Sequence, residues 1–158
     1  MEYRIGFGFD THRLEVNHPF WLGGIRIGHY KGASGHSDAD VLIHAICDAL
    51  LGAAGLRDIG TQFPDNDPQY QGIDSKILLA KTVALIMEKG FRIGNIDSTI
   101  HLQIPKIGPY IPDMLRTLAP ILQISESQIA IKAKTGEKLG FVGREEGVSA
   151  EAVVLLNA

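Results

Sequence analysis

The sequence predicts one α+β domain: a small mixed β-sheet with helices packed on one face. Two observations predict it. Three stretches, 41–53, 75–89 and 109–122, carry apolar residues near helical spacing, while 3–10, 91–103, 129–133 and 148–156 show the alternation or short apolar runs of strands. The helical and extended stretches interleave, the order expected of helices layered on a sheet. No repeat, linker or low-complexity segment divides the 158 residues, so the domain is expected to span 1–158.

Each element has its own local signal. Tyr3-Arg-Ile-Gly-Phe-Gly-Phe-Asp10 alternates, placing Ile5, Phe7 and Phe9 on one face of a strand. Trp21 to Ile27 reads as two short strands around a Gly23-Gly24 turn. Ser37, with Asp40 three positions on, resembles a capping box, although Glu or Gln is the usual partner. Behind it, Val41, Ile43, Ala45, Ile46, Ala49, Leu50 and Ala53 form a helical stripe that Gly55 ends. Residues 58–74 read as loop, with the polar run Pro64-Asp-Asn-Asp-Pro68. Ser75 to Lys89 forms a helix through Ile77, Leu78, Val83, Ile86 and Met87, closed by Gly90. Ile96, Ser98 and Ile100 mark the next strand, and Pro109 to Leu122 a third helix. The strand at 148–156 is apolar at successive positions, so both its faces are expected to be covered, one by helices and one by a neighbouring subunit.

Bulk composition excludes several classes of function. The formal net charge is −3 with no Lys/Arg block, which argues against a nucleic-acid surface but leaves room for one local phosphate pocket. The single cysteine, Cys47, rules out an intramolecular disulfide and sits in an apolar run as a small buried hydrophobe. The first residues lack a signal-peptide layout, and no apolar run approaches the ~20 residues of a membrane span. A cytoplasmic protein with no membrane partner is expected.

Three of the six histidines stand in company that points to metal chemistry. Asp10 and His12, two apart at the end of a strand, project from one face and can converge on one point. His44 lies in the first helix, read as opposite much of its apolar stripe. Together they make a nitrogen/oxygen set that leaves one corner of a tetrahedral zinc site open. Asp40 and Asp48, one turn on either side, are candidates to orient the His44 imidazole. Asp-x-His pairs also serve as ordinary turns, and a lone helix histidine is more often simply hydrogen-bonded; spacing leaves both readings standing.

Two further segments carry groups suited to phosphates or hydroxyls. In Lys132-Ala-Lys-Thr-Gly-Glu-Lys-Leu-Gly-Phe141, Thr135 and the backbone near Gly136 are candidate phosphate donors and Glu137 a candidate ligand for a magnesium-like cation. A plain strand-to-helix turn with surface lysines is the competing reading. Asp58-Ile-Gly60 through Pro64-Asp65 offers carboxylates in a glycine-bearing loop, also the make-up of ordinary turns.

Seven stretches in order carry a family resemblance: Arg4-Ile-Gly-Phe-Gly-Phe-Asp-Thr-His12, His36-Ser-Asp-Ala-Asp-Val-Leu-Ile-His-Ala45, Asp48-Ala-Leu-Leu-Gly-Ala-Ala54, Asp58-Ile-Gly-Thr-Gln-Phe-Pro-Asp65, Ile104-Pro-Lys106, Glu137-Lys-Leu-Gly-Phe141 and Gly143-Arg-Glu-Glu-Gly147. The chain resembles the cyclodiphosphate synthases of the non-mevalonate isoprenoid pathway. That resemblance implies a homotrimer that cyclises 4-diphosphocytidyl-2-C-methyl-D-erythritol 2-phosphate and releases CMP. It implies zinc on Asp10, His12 and His44, and a magnesium or manganese ion on Glu137. His36 and Ser37 would sit near the 2-phosphate, Asp58, Gly60, Phe63 and Asp65 around the methylerythritol. Ile104, Pro105, Lys106, Ile107 and Gly108, with Ala133, Lys134 and Thr135, would form the cytidine and diphosphate pocket. His36, Thr135 and Glu137 would act on the reacting groups. Active sites would lie between subunits, and an isoprenoid diphosphate in the central channel would meet Phe141, Arg144 and Glu151. A plastid stroma would replace the cytoplasm for a mature organellar form. Lys134 and Gly136 interrupt the threonine run usual in the family, and His101 is uncommon at its place and reads as structural. A metal-dependent phosphohydrolase and a metal-stabilised trimeric binding protein are the competing functions.

Overall fold

A five-stranded mixed sheet frames the molecule, and a computed structural model describes it from Met1 to Ala158. The strands are β1 (Tyr3–Val16), β2 (Phe20–Leu22), β3 (Ile25–Ile27), β4 (Lys31–Ser34), β5 (Arg92–His101), β6 (Ile129–Lys134) and β7 (Gly147–Asn157). The main sheet runs β4-β1-β7-β5-β6, with β5 and β6 parallel and the other pairs antiparallel; β2 and β3 form a separate hairpin. The helices are α1 (Val41–Ala53), α2 (Ile59–Gln62), α3 (Ser75–Glu88), α4 (Ile111–Leu122) and α5 (Gly140–Gly143).

α1 packs on β1 and β7, α3 on α1, and α4 on α3. Buried everywhere except at Asp48 and Gly52, α1 is apolar nearly all round, as a helix with almost no solvent face should be. The sheet meets it with small or branched residues: Val148, Ala150, Ala152, Val154 and Leu156 of β7 are all buried. On β1 the contact is closer still. A Cβ on Gly6 would lie 1.8 Å from the Ala49 carbonyl oxygen, and one on Gly8 1.9 Å from that of Ala45. The helix therefore rests directly on the strand backbone. The same inward face of β1 continues through Asp10 and His12, which is what sets those side chains at the first turn of α1.

The opposite face of the sheet has no helix. Ile5, Phe7, Phe9 and Val153 are 75%, 62%, 52% and 45% exposed there. The apolar run of β7 thus divides into a face buried under α1 and a face on the surface of the single chain.

Several elements differ from the sequence reading. β1 continues six residues past Asp10, because Arg13 to Val16 pair with β4; the Lys-Gly-Ala-Ser of β4 has no strand signal of its own. α2 and α5, each of four residues, occupy segments read as turns. Asp40, not Ser37, caps α1: its buried carboxylate accepts the N–H groups of Ile43, Gly23 and Gly24, fastening the β2–β3 turn to the helix. Burial nonetheless pushes its carboxyl above the usual carboxylate range. Cys47 is buried as expected, and burial pushes its thiol up to about 12.

Gly8→Ala is expected to cost about 1–3 kcal/mol of unfolding free energy, since neither backbone can yield by rotamer change. Gly52→Ala, with no atom within 4 Å of the added Cβ, should instead stabilise α1 by roughly 0.5–1 kcal/mol. Urea unfolding of both variants checks the contrast.

Candidate metal centre

β1 and α1 bring three donor atoms to one point. Asp10 Oδ2 lies 2.9 Å from His12 Nε2 and 2.9 Å from His44 Nδ1, and the two ring nitrogens are 3.3 Å apart. Asp10 and His12 are part-buried and His44 is buried. The ring of His12 lies against Gly35, where a Cβ would come within 2.8 Å of it.

The surroundings decide what the triad attracts. His12 Nδ1 is 3.0 Å from the Ser34 carbonyl oxygen. A carbonyl only accepts, so Nδ1 carries the hydrogen and Nε2 turns a lone pair inward. Burial alone would raise the Asp10 carboxyl, but His12 and His44, when protonated, hold it at about 2 through hydrogen bonds and charge. Burial would lower His12, and the Asp10 carboxylate outweighs it, raising the imidazole. Both directions say that the centre favours positive charge, and two imidazoles with one carboxylate are a fitting donor set for a divalent metal.

The centre opens into a cavity of about 280 Å³. His36, Ser37, Gly60, Phe63 and Asp65 line it beside His12 and His44. Ile59, Tyr70, Ile73 and Leu78 complete the wall. Sequence reasoning missed these four: Leu78 was read only as part of a core stripe, and the others sit in a segment with no periodicity. Asp58 does not line the cavity. It caps α2, accepting the N–H and hydroxyl of Thr61, bonds that hold its carboxyl below the usual range.

Nor do Asp40 and Asp48 orient His44. Asp40 is spent on the cap, and Asp48 accepts the Ile59 N–H at 2.8 Å. The outer nitrogen of His44, Nε2, lies instead 3.0 Å from Ser37 Oγ and 2.9 Å from Ser75 Oγ. His44 is buried like most of α1, so it does not stand on an exposed face opposite the apolar stripe.

A sequence model of the YgbB family matches residues 3–157. The chain belongs to the YgbB family. It is 64% identical over 156 residues to a Porphyromonas gingivalis protein named 2-C-methyl-D-erythritol 2,4-cyclodiphosphate synthase, covering 99% of this chain and 96% of that one. A Bacteroides fragilis protein of the same name is 60% identical over 157 residues, covering 99% of each chain. Among solved structures, the bifunctional IspDF from Campylobacter jejuni superposes with a TM-score of 0.94 at 41% identity, covering 98% of this chain and 42% of that one. The CDP-bound form of 2C-methyl-D-erythritol-2,4-cyclodiphosphate synthase gives 0.90 at 38% identity, covering 98% of this chain and all of that one.

The remaining residues singled out in this YgbB chain stand outside the cavity lining. Ile104, Pro105, Lys106, Ile107 and Gly108 follow β5, Ala133 and Lys134 end β6 and Thr135 follows it; the Lys134 carbonyl accepts the Leu102 N–H at 2.9 Å. Gln103 Oε1 accepts the N–H groups of Gly136 and Lys138, shaping the turn that exposes Glu137. Phe141 lies with Phe9, His101 and Ser149 around a shallow depression. Arg144 is exposed and paired with Glu146 at 2.6 Å, and Glu151 pairs with His101 at 3.0 Å.

Metal-free protein should show a defined pH signature. Asp10, depressed on folding, contributes stability present above pH 3.8 and lost as pH falls towards about 2. His12, raised on folding, contributes stability present below pH 6.5 and lost as pH rises through its folded value. The melting-temperature gap between chelator-treated protein and its Asp10→Asn variant should therefore be widest between these limits. A gap that does not change with pH would contradict the assignment of charge in the triad.

Proposed function

We propose that the protein converts 4-diphosphocytidyl-2-C-methyl-D-erythritol 2-phosphate into 2-C-methyl-D-erythritol 2,4-cyclodiphosphate and CMP, a phosphorus–oxygen lyase step of non-mevalonate isoprenoid precursor synthesis. The observation that carries this reading is an open two-histidine, one-carboxylate centre in a chain 64% identical to a synthase of that name over nearly its whole length. A bond forms from a 2-phosphate oxygen to the β-phosphorus. The bond from that phosphorus to the bridging oxygen breaks, and CMP leaves with the electron pair. Nucleophile and leaving group belong to the substrate, so no side chain becomes covalently attached.

Asp10, His12 and His44 would hold zinc, which when bound supplies charge neutralisation for a phosphate oxygen. Glu137, an exposed lone carboxylate, is the kind of donor a hydrated magnesium or manganese ion shares with phosphates. The chain itself supplies positioning. Ile59, Phe63, Ile73 and Leu78 give an apolar wall for the carbon skeleton and exclude water, while Asp65 and the backbone at Gly60 face its hydroxyls. His36 and Ser37 present donors to the 2-phosphate beside the triad. Holding both phosphates in line within one folded substrate is worth about 7–11 kcal/mol of barrier when alignment is good.

Residues 104–108 and 133–135 form the cytidine pocket in this reading, with Thr135 at the diphosphate. Because they do not line the metal cavity of their own chain, the site is completed by a neighbouring subunit in a homotrimer. The bare sheet face of Ile5, Phe7, Phe9 and Val153 packs about the threefold axis, and Phe141, Arg144 and Glu151 stand where a channel would receive an isoprenoid diphosphate.

Phosphorus NMR of zinc- and magnesium-supplied protein with the cytidyl substrate should show CMP and a cyclic diphosphate, with His44→Ala slowed by a hundredfold or more. Inorganic phosphate as product would replace this reading with hydrolysis. Sedimentation should give a trimer that Phe7→Asp weakens by tenfold or more in association; a monomeric parent protein would overturn the shared site.

A further inference from the structure

His44 reaches the triad with one ring nitrogen and is anchored by the other. The anchor decides which nitrogen keeps a lone pair. Nε2 lies 2.9 Å from Ser75 Oγ and 3.0 Å from Ser37 Oγ. A hydroxyl donates or accepts, so these two contacts alone permit either tautomer. If Nε2 accepted, Nδ1 would carry the hydrogen and spend it on Asp10 Oδ2, 2.9 Å away. The triad would then be closed by an internal bond, with no His44 lone pair for a cation.

Asp38 breaks that symmetry. Ser75, fully buried at the first position of α3, donates its N–H to Asp38 Oδ2 at 2.8 Å and its hydroxyl to Asp38 Oδ1. A carboxylate only accepts, so the hydroxyl hydrogen is committed to Asp38. Ser75 Oγ is left with a lone pair facing His44, and Nε2 must be the donor. Nδ1 is thereby bare and aimed at the triad. The frame around this chain of bonds is itself tied down: the Asp38 N–H donates to the Ile73 carbonyl at 3.2 Å, and the Gly72 N–H to that of His36 at 2.8 Å.

We propose that Asp38 and Ser75 are positioning residues that hold His44 in its Nε2–H tautomer and so reserve Nδ1 for the metal. The inference rests on the zinc reading above and goes beyond it, because neither residue touches the metal or the substrate. Asp38→Asn nearly preserves shape but reverses the order of donors. Its amide can keep oxygen on only one Ser75 donor. With oxygen on the N–H, its own N–H meets Ser75 Oγ and turns the hydroxyl towards His44. Ser75→Ala removes the fixed acceptor and leaves only Ser37, which serves either tautomer.

The test is zinc affinity, measured by competition with a chromophoric chelator for parent, Asp38→Asn, Ser75→Ala and the double variant. Each single change should weaken zinc ten- to a hundredfold, and the double variant should be no weaker than the weaker single. Nitrogen-15 shifts of histidine-labelled, metal-free parent protein should show neutral His44 with Nε2 protonated and Nδ1 bare, a readout that needs no variant to fold. Affinity within twofold of the parent in Asp38→Asn, losses that multiply in the double variant, or a bare Nε2 would each overturn the proposal. A parent protein that holds no zinc at all would instead remove the metal reading on which it rests.

Discussion

The seating of α1 on the bare backbone of β1 at Gly6 and Gly8 is the contact on which the rest of this structure depends. Strand and helix approach until the Ala45 and Ala49 carbonyls occupy the space of the missing Cβ atoms. That approach consumes the inward face of β1 for two alternate positions and leaves the next two, Asp10 and His12, beside the first turn of the helix. The approach of strand to helix therefore also sets the spacing of the candidate metal ligands. A side chain at either glycine would separate both at once.

Placing three donors in a part-buried corner costs solvation, and the structure recovers it through polarity. Each imidazole in the corner is oriented by a partner of fixed sense: the Ser34 carbonyl behind His12, and the Asp38–Ser75 chain behind His44. Carbonyls and carboxylates cannot reverse as hydroxyls can, so each imidazole has one nitrogen committed outward and one free inward. What remains at the centre is an excess of lone pairs that a cation satisfies. A chain of net charge −3 thus concentrates a demand for positive charge at this point.

The cavity and the segments 104–108 and 133–135 lie on different parts of one chain, and the sheet carries an uncovered apolar face. These two features answer each other if neighbouring copies meet through that face. One assembly would then bury the exposed aromatic residues and complete the site. The energetic and the chemical requirement would then converge on the same surface.

Much of this was legible in the sequence. The helical stripes of α1, α3 and α4 and the inner strands announced themselves because burial imposes a period on apolar residues. Asp10, His12 and His44 were legible because ligand chemistry restricts residue type and because a strand sends alternate positions to one face. Other elements were silent. β4 is a strand only because β1 offers it an edge, and α2 is one turn held by the cap of Asp58. Ser37 looked like the cap of α1, and Asp40 and Asp48 like the partners of His44, since helical spacing made those neighbours plausible. Only the tertiary structure assigned the cap to Asp40 and the imidazole to Ser75, which lies 31 residues away and is itself held by Asp38. Local sequence carries period and residue type; which hydrogen bond a buried group finally makes depends on what the fold brings against it from afar.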